Sequence, residues 1–249
     1  MAVIGIMDSG VGGLSVYREI VKLLPGERYV YYSDGGNCPY GDKSREFITG
    51  RCRQITEKFL SKGAQAVVIA CNTATAAAIA VLRSEYDIPF IGMEPAVKPA
   101  ALGTRSGVVG VLATAGTLAA SKYLQTRGRF EDDVRIVEHV GAGFVELVEN
   151  GTLDGPEAET TVKASLKPLL EAGADTVVLG CTHYPFLLPV LQRVAGPDIR
   201  FIDPAPAVAR RLVSVLKERG ISEVDPNPGT ELLSSGPDTV LRRIFSQIL

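Results

Sequence analysis

Two cysteines stand in matching frames in the two halves of the chain. The first reads Gly63-Ala-Gln-Ala-Val-Val-Ile-Ala-Cys71-Asn-Thr, the second Gly173-Ala-Asp-Thr-Val-Val-Leu-Gly-Cys181-Thr-His. Each frame is a short apolar run that stops at a thiol followed by hydrogen-bonding residues, a pattern suited to a buried parallel strand. Residues just past such a strand face the crevice where open α/β sheets bind ligands. Cys71-Asn72-Thr73-Ala-Thr75 opens a helix. A helix N-terminus lowers a thiol's pKa and offers amides to an anion, so Cys71 suits a base beside a docked carboxylate, or else a buried structural cysteine. Cys181-Thr182-His183 admits three chemistries. A Cys–His nucleophile needs an acyl substrate and an oxyanion hole. A metal site would draw on Cys71, Cys181 and His183 with a water, although close ligand spacing is missing. In acid–base work His183 would tune the thiol. Of the two histidines, His139 lacks comparable company.

If the frames face one another, two thiols approach one bound molecule from opposite sides, which suits inversion at carbon. One thiolate removes a proton and the opposite thiol delivers another. An unperturbed cysteine has a pKa of about 8.5, so modest tuning supplies one of each near neutrality. Asp8 and His183 are the candidate tuning groups. Asp8-Ser-Gly-Val-Gly-Gly13 resembles a phosphate loop but fits neither pattern, because Ser15 stands where the dinucleotide motif needs its last glycine and the P-loop lysine is missing. An acidic residue at its head repels phosphate and attracts an ammonium group. The alternative is a turn that needs its glycines for backbone conformation alone. Asn37-Cys-Pro-Tyr40-Gly41 is a turn whose amides suit a carboxylate; taken alone it reads as an ordinary loop.

These residues need strands and helices to place them, and the dominant rhythm is strand, loop, helix. Strands are expected at Ala2–Met7, Arg28–Ser33, Ala66–Ala70 and Ile88–Gly92, with helices at Leu14–Leu24 and Ser44–Lys62. The rhythm then restarts: Gly107-Val-Val-Gly-Val-Leu-Ala-Thr114-Ala-Gly-Thr117 echoes the stretch from Ala2 to Gly10. Later strands are expected at Val134–Val137, Thr176–Gly180 and Phe201–Asp203. A final segment from about Ala207 is expected as helices returning to the first half. The expected fold is α/β, with two pseudo-symmetric domains of mainly parallel sheets flanked by helices and the active site in the crevice between them. Domain bounds are 1–96 plus 207–249 for the first, 97–206 for the second.

Composition narrows the function. The chain has 249 residues, with 26 basic against 28 acidic side chains and a net charge of −2. No basic cluster points to nucleic acid or an anionic membrane. Residues 63–82 carry no charge, but Gln65, Asn72, Thr73 and Thr75 argue against a membrane span. No signal peptide is visible ahead of the first strand. Four cysteines without a Cys-x-x-Cys do not make a disulfide framework, so a reducing cytoplasm is the simplest compartment. Cys38, in a turn, and Cys52, in a helical stretch, are expected to do no chemistry.

Four segments together resemble the bacterial glutamate racemases over essentially the whole chain. They are Asp8-Ser-Gly-Val-Gly-Gly-Leu-Ser-Val16, Tyr31-Tyr-Ser-Asp34 with Pro39-Tyr40-Gly41, Ala70-Cys-Asn-Thr-Ala-Thr75, and Gly180-Cys-Thr-His-Tyr-Pro185. That family works without cofactor or metal and makes D-glutamate for peptidoglycan, with two opposed cysteines on two α/β domains and a C-terminal segment that returns to the first. The resemblance implies that Cys71 abstracts from the D enantiomer and Cys181 from the L. Asp8 and His183 would assist, with Glu149 or else nearby Glu146. Substrate contacts would come from Asp8, Ser9, Tyr40, Gly41, Asn72, Thr73, Thr182 and His183, with Thr114 and Thr117 nearby. It further implies a homodimer. Relatives that respond to a cell-wall precursor carry an extension ahead of the first strand, and this chain is not expected to share that regulation. Other readings are an aspartate or other amino-acid racemase, a two-domain protein that closes on a small anion without chemistry, and a zinc hydrolase.

Overall fold

The computed structural model describes residues 3–221 and 228–248. In chain order they form β1 (Val3–Asp8), α1 (Leu14–Leu23), β2 (Arg28–Ser33), α2 (Arg45–Ser61), β3 (Ala64–Ile69), α3 (Asn72–Glu85) and β4 (Phe90–Gly92). There follow α4 (Val97–Ala101), β5 (Val108–Ala113), α5 (Ala115–Leu118), α6 (Ser121–Gly128), β6 (Arg135–Val140), α7 (Phe144–Asn150), α8 (Pro156–Glu171), β7 (Thr176–Gly180), α9 (Leu188–Ala195) and β8 (Arg200–Ile202). The last elements are α10 (Ala205–Arg219), β9 (Gly229–Ser234) and α11 (Thr239–Ile248), and short 3-10 turns sit at Gly35–Asn37 and Tyr184–Leu187. No helix among the described residues is long and apolar enough to cross a membrane.

The fold is α/β. The chain divides into one unit of residues up to Met93 together with those from Ala205 on, and a second of Glu94–Pro204. The first unit holds a five-stranded sheet, β4-β3-β1-β2-β9, and the second a four-stranded sheet, β6-β5-β7-β8. Every pairing is parallel. Helices flank the sheets because parallel strands need crossovers and bury both faces. β3 and β7 accordingly read as continuous apolar runs with their last residues buried.

Both sheets use one plan. The strand that leads to a cysteine lies beside the first strand of its unit, β3 beside β1 and β7 beside β5. Gly63 and Gly173 end the preceding helices in left-handed backbone, with φ of 81° and 86°, a conformation that favours glycine. In β1, a Cβ on Gly5 would lie 2.5 Å from the Phe59 ring of α2. Gly110 of β5 pairs with Val177 as Gly5 pairs with Val67, and a Cβ there would meet Leu169 of α8 at 3.0 Å. In each unit the missing side chain lets a helix close onto the sheet. Phe59 is thereby fully buried, alongside Ile55, Val67, Ile69 and Leu82, and such burial contributes roughly 1.5–3 kcal/mol per large side chain.

Several expected bounds shift. The expected start at Ala2 lies outside the described residues. Ser44 and Lys62 are the caps of α2, with Ser44 Oγ accepting from Phe47 N–H. β3 runs from Ala64 to Ile69 instead of Ala66 to Ala70, and β4 begins at Phe90, after Pro89, instead of at Ile88. The C-terminal segment is corrected more deeply. It was expected as helices only, but Gly229–Ser234 forms β9, paired with β2 from Arg28↔Gly229 to Ser33↔Ser234. An edge strand needs no continuous apolar run, and β9 is only half-buried.

In the second unit, Asp175 ties the loop ahead of β5 to β7. It accepts from Thr104 Oγ1 at 2.6 Å and from the amides of Arg105 and Ser106 at 2.6 and 2.9 Å. Burial would raise this carboxyl, but bonds from Thr104, Arg105, Ser106 and Thr176 outweigh it and hold the group well below the usual range. An unfolded aspartate titrates near pH 3.9. The contribution is therefore complete above about pH 4 and is lost as pH falls below that. Asp175→Asn should destabilise the protein by about 1–3 kcal/mol at neutral pH and flatten the decline of stability in acid. Urea melts from pH 7 to pH 3 check this; equal slopes for the two proteins would contradict it.

Candidate active site

Within each unit the sequence-derived site residues gather at the C-terminal ends of the parallel strands. Asp8 ends β1, Tyr40 and Gly41 lie in the loop after β2, and Cys71 follows β3. In the second unit Thr114 follows β5, Glu149 lies on α7 after β6, and Cys181 follows β7. Parallel pairing places these loops on one edge of their sheet, the edge at which α/β folds bind ligands.

In the first unit Cys71 is the N-cap of α3, and its Sγ accepts from Ala74 N–H at 3.4 Å. A sulfur in that position sits at the positive end of a 14-residue helix, which favours a thiolate. The Cys71 thiol also points to Ser9 Oγ at 3.7 Å. Asp8 is fully buried, and its Oδ1 accepts from Gly10 N–H at 2.8 Å. Ser9, which follows Asp8, and Asn72 and Thr73, which follow Cys71, are also buried. The side-chain amide of Asn72 has neither its nitrogen nor its oxygen hydrogen-bonded. A buried polar group left so costs about 1–3 kcal/mol. Tyr40 is buried to 1% exposure, whereas Gly41 is half-buried.

The second unit is equipped differently. Cys181 Sγ lies 3.7 Å from His183 Nδ1, and His183 Nε2 lies 2.6 Å from Glu149 Oε1. The imidazole is 1% exposed and Glu149 is partly open. An ionised carboxylate only accepts, so Glu149 fixes the proton on Nε2 and turns the Nδ1 lone pair toward the thiol. Of the two glutamates open from sequence, Glu149 makes this bond. Glu146, one turn earlier on α7, is felt instead by Tyr184. Burial first, then Cys181 and Glu146, push the Tyr184 phenol far up, so it stays protonated. Thr114 caps α5, and its hydroxyl lies 2.9 Å from that of Thr117. Thr182 is buried beside Cys181.

Chemically, each unit presents one buried thiol at a strand end. A helix terminus with Ser9 and Asp8 attends one, and an imidazole–carboxylate pair the other. That is equipment for moving protons at a weak acid. Sequence reasoning missed Asp34 and Arg51, which form a fully or partly buried ion pair beside Tyr40. The acidic residue at the end of β2 was a signal; its arginine partner, on a different element, was not.

The chain is similar to known proteins over its whole length. A family model described as Asp/Glu/Hydantoin racemase matches residues 4–212. The chain is 50% identical over 249 residues to the glutamate racemase of Ectopseudomonas mendocina (strain ymp), covering 100% of this chain and 95% of that protein. It is similar to the crystal structure of Escherichia coli glutamate racemase in complex with L-glutamate and an activator, UDP-MurNAc-ala, at a TM-score of 0.88 and 35% identity, covering 99% of this chain and 95% of that one. Glutamate racemase from Francisella tularensis in complex with D-glutamate is similar at a TM-score of 0.84 and 27% identity, covering 100% and 93%.

Proposed function

Because the chain belongs to the Asp/Glu/Hydantoin racemase family, we propose that it interconverts L- and D-glutamate with two cysteines and no cofactor or metal. It is an isomerase, an amino-acid racemase. Glutamate is favoured over aspartate by the whole-length 50% identity to a glutamate racemase and by relatives solved with L- and D-glutamate. D-glutamate so made would supply peptidoglycan synthesis in the cytoplasm. We further propose that the two units are the enzyme's two domains, their bounds falling within three residues of the expected 1–96 plus 207–249 and 97–206, and that the enzyme is a homodimer.

The observation that carries the mechanism is a thiol at the same strand-end position in both units, each with its own proton-handling neighbours. Cys181 as thiolate takes the Cα proton of L-glutamate while the Cys71 thiol gives its proton to the opposite face. The reverse transfer runs from D-glutamate. Each turnover leaves the sulfurs with exchanged protonation, so both must be stable in both states. His183, held by Glu149, serves this at Cys181. The α3 N-terminus serves it at Cys71, with Asp8 and Ser9 nearby. The Asn72 amide, with Thr73, Tyr40, Gly41, Thr182, Thr114 and Thr117, binds the charged ends of the amino acid. The Cα proton is weakly acidic, so positioning and a preorganised polar site must lower the barrier.

Polarimetry of the purified protein, without added cofactor, tests this. Optical rotation of L-glutamate should decay to zero, unaffected by chelator and abolished by thiol alkylation. Decay with L-aspartate alone, or with neither amino acid, would sink the assignment, and inactivation by chelator would point to metal chemistry.

A further inference from the structure

We propose that Asp34 is a positioning residue for the substrate-binding turn at Tyr40 and Gly41, acting through the Tyr40 hydroxyl and clamped by Arg51 and by Ser235 of the C-terminal segment. This inference rests on the reading of that turn as a substrate contact. Asp34 lies one residue past β2 and is fully buried. Its Oδ2 accepts from the Tyr40 hydroxyl at 2.5 Å. Arg51 of α2 donates to both oxygens, Nε to Oδ2 at 2.9 Å and Nη2 to Oδ1 at 2.7 Å. Asn37 Nδ2 adds a bond to Oδ1 at 3.1 Å, and the Ser235 hydroxyl adds another. A carboxylate offers about four lone-pair sites, and here they are filled from within the unit. Asp34 therefore has no capacity left for substrate and acts on it only through what it holds.

What it holds is the turn. The Tyr40 hydroxyl is engaged by Asp34, which leaves the backbone of Tyr40 and Gly41 as the part that meets a ligand. The bidentate guanidinium fixes the carboxylate in plane, and Asp34 N–H donates to Asp8 O at 2.9 Å, binding this loop to the one that carries the Asp8 carboxylate. The base of the arrangement comes from the chain's last segment. Ser235 N–H donates to Ser33 O at 3.1 Å, and Gly36 N–H donates to Ser235 Oγ at 3.1 Å. Backbone meets backbone there, since a Cβ on Gly36 would lie 2.8 Å from Ser235 O and one on Gly236 2.8 Å from Gly36 N. The β9 edge strand thus supports the turn from below, through Ser235 and Asp34.

Asp34→Asn, Tyr40→Phe and Ser235→Ala test the inference, with two independent readouts. The first is hydrogen exchange of the amides at residues 36–42, which needs no substrate. Exchange should speed up at least about ten-fold in Asp34→Asn and measurably in the other two. The second is the steady-state racemisation of L-glutamate. Loss of positioning removes binding felt alike by ground and transition states, so KM should rise about ten-fold in Tyr40→Phe while kcat changes less than about three-fold. Should Asp34→Asn fail to fold, Tyr40→Phe and Ser235→Ala carry the test. Unchanged exchange at 36–42, or a lowered melting temperature with KM unmoved, overturns the inference. If the unaltered protein does not racemise glutamate, the functional reading fails on its own, and exchange still reports on Asp34.

Discussion

Cys181→Ser is expected to lower racemisation of glutamate about a thousand-fold or more, and Cys71→Ser to do the same, with neither change unfolding the protein. A positioned acid or base contributes about 10²- to 10⁴-fold, and a serine hydroxyl is far too weak an acid to exchange roles with a thiolate at neutral pH. Serine is the informative replacement because it separates chemistry from structure. Cys71 caps α3 through its sulfur, and serine is among the strongest N-cap residues, whereas alanine there would cost about 1 kcal/mol. At Cys181 the change removes a sulfur 3.7 Å from His183 while leaving the His183–Glu149 bond intact. Chiral chromatography measures the rates, and the unaltered protein in heavy water should place deuterium at Cα of the product. Near-normal turnover in either variant would remove that cysteine from the mechanism.

Gly13→Ala should be nearly as severe, although it touches no substrate. A Cβ at Gly13 would stand 2.6 Å from Asp8 Cβ, 2.8 Å from the Tyr31 hydroxyl and 3.2 Å from Ala70 Cβ. Two of these atoms are fixed to backbone and cannot swing aside, so either the loop or the ends of β1 and β3 must shift. Ala70 immediately precedes Cys71, and Asp8 heads the loop, so the shift displaces both the thiol and its acidic neighbour. Misplacement on the order of an ångström can cost about a hundred-fold in rate, and overpacking typically costs about 1–3 kcal/mol of stability. We therefore expect kcat/KM to fall about a hundred-fold, with a lower melting temperature. As a control, Gly50→Ala, inside α2, has nothing within 4 Å of the added Cβ and should leave kcat/KM unchanged and the melting temperature unchanged or slightly raised, since alanine is the better helix former. Full activity in Gly13→Ala would mean that the loop has slack the packing does not suggest.

The sheets were legible because parallel strands buried on both faces leave continuous apolar runs, as in Thr176–Gly180, whose bounds the pattern gave outright. The thiols were legible because each such run ends at one. β9 was not, since an edge strand with only half-buried residues leaves no such signature. The choice between Glu149 and Glu146 was not either. They lie three residues apart on one helix, and neighbours at that spacing share a face; only the position of His183 separates them. Arg51 escaped for a further reason. Its surroundings in sequence are those of an exposed helix, and its pairing with Asp34 follows from how α2 lies against the loop after β2.

The interleaving of the two units also sets an order of events during synthesis. The strand that completes the first sheet, β9, is encoded after the whole second unit, which ends at Pro204. A ribosome therefore releases the later-numbered unit finished while the earlier-numbered one still shows the bare flank of β2. Until β9 has been made, that flank is an open template for any passing extended segment, and the nascent protein acquires its Ser235 support, and with it a settled Tyr40 turn, only after the whole second unit has been synthesised.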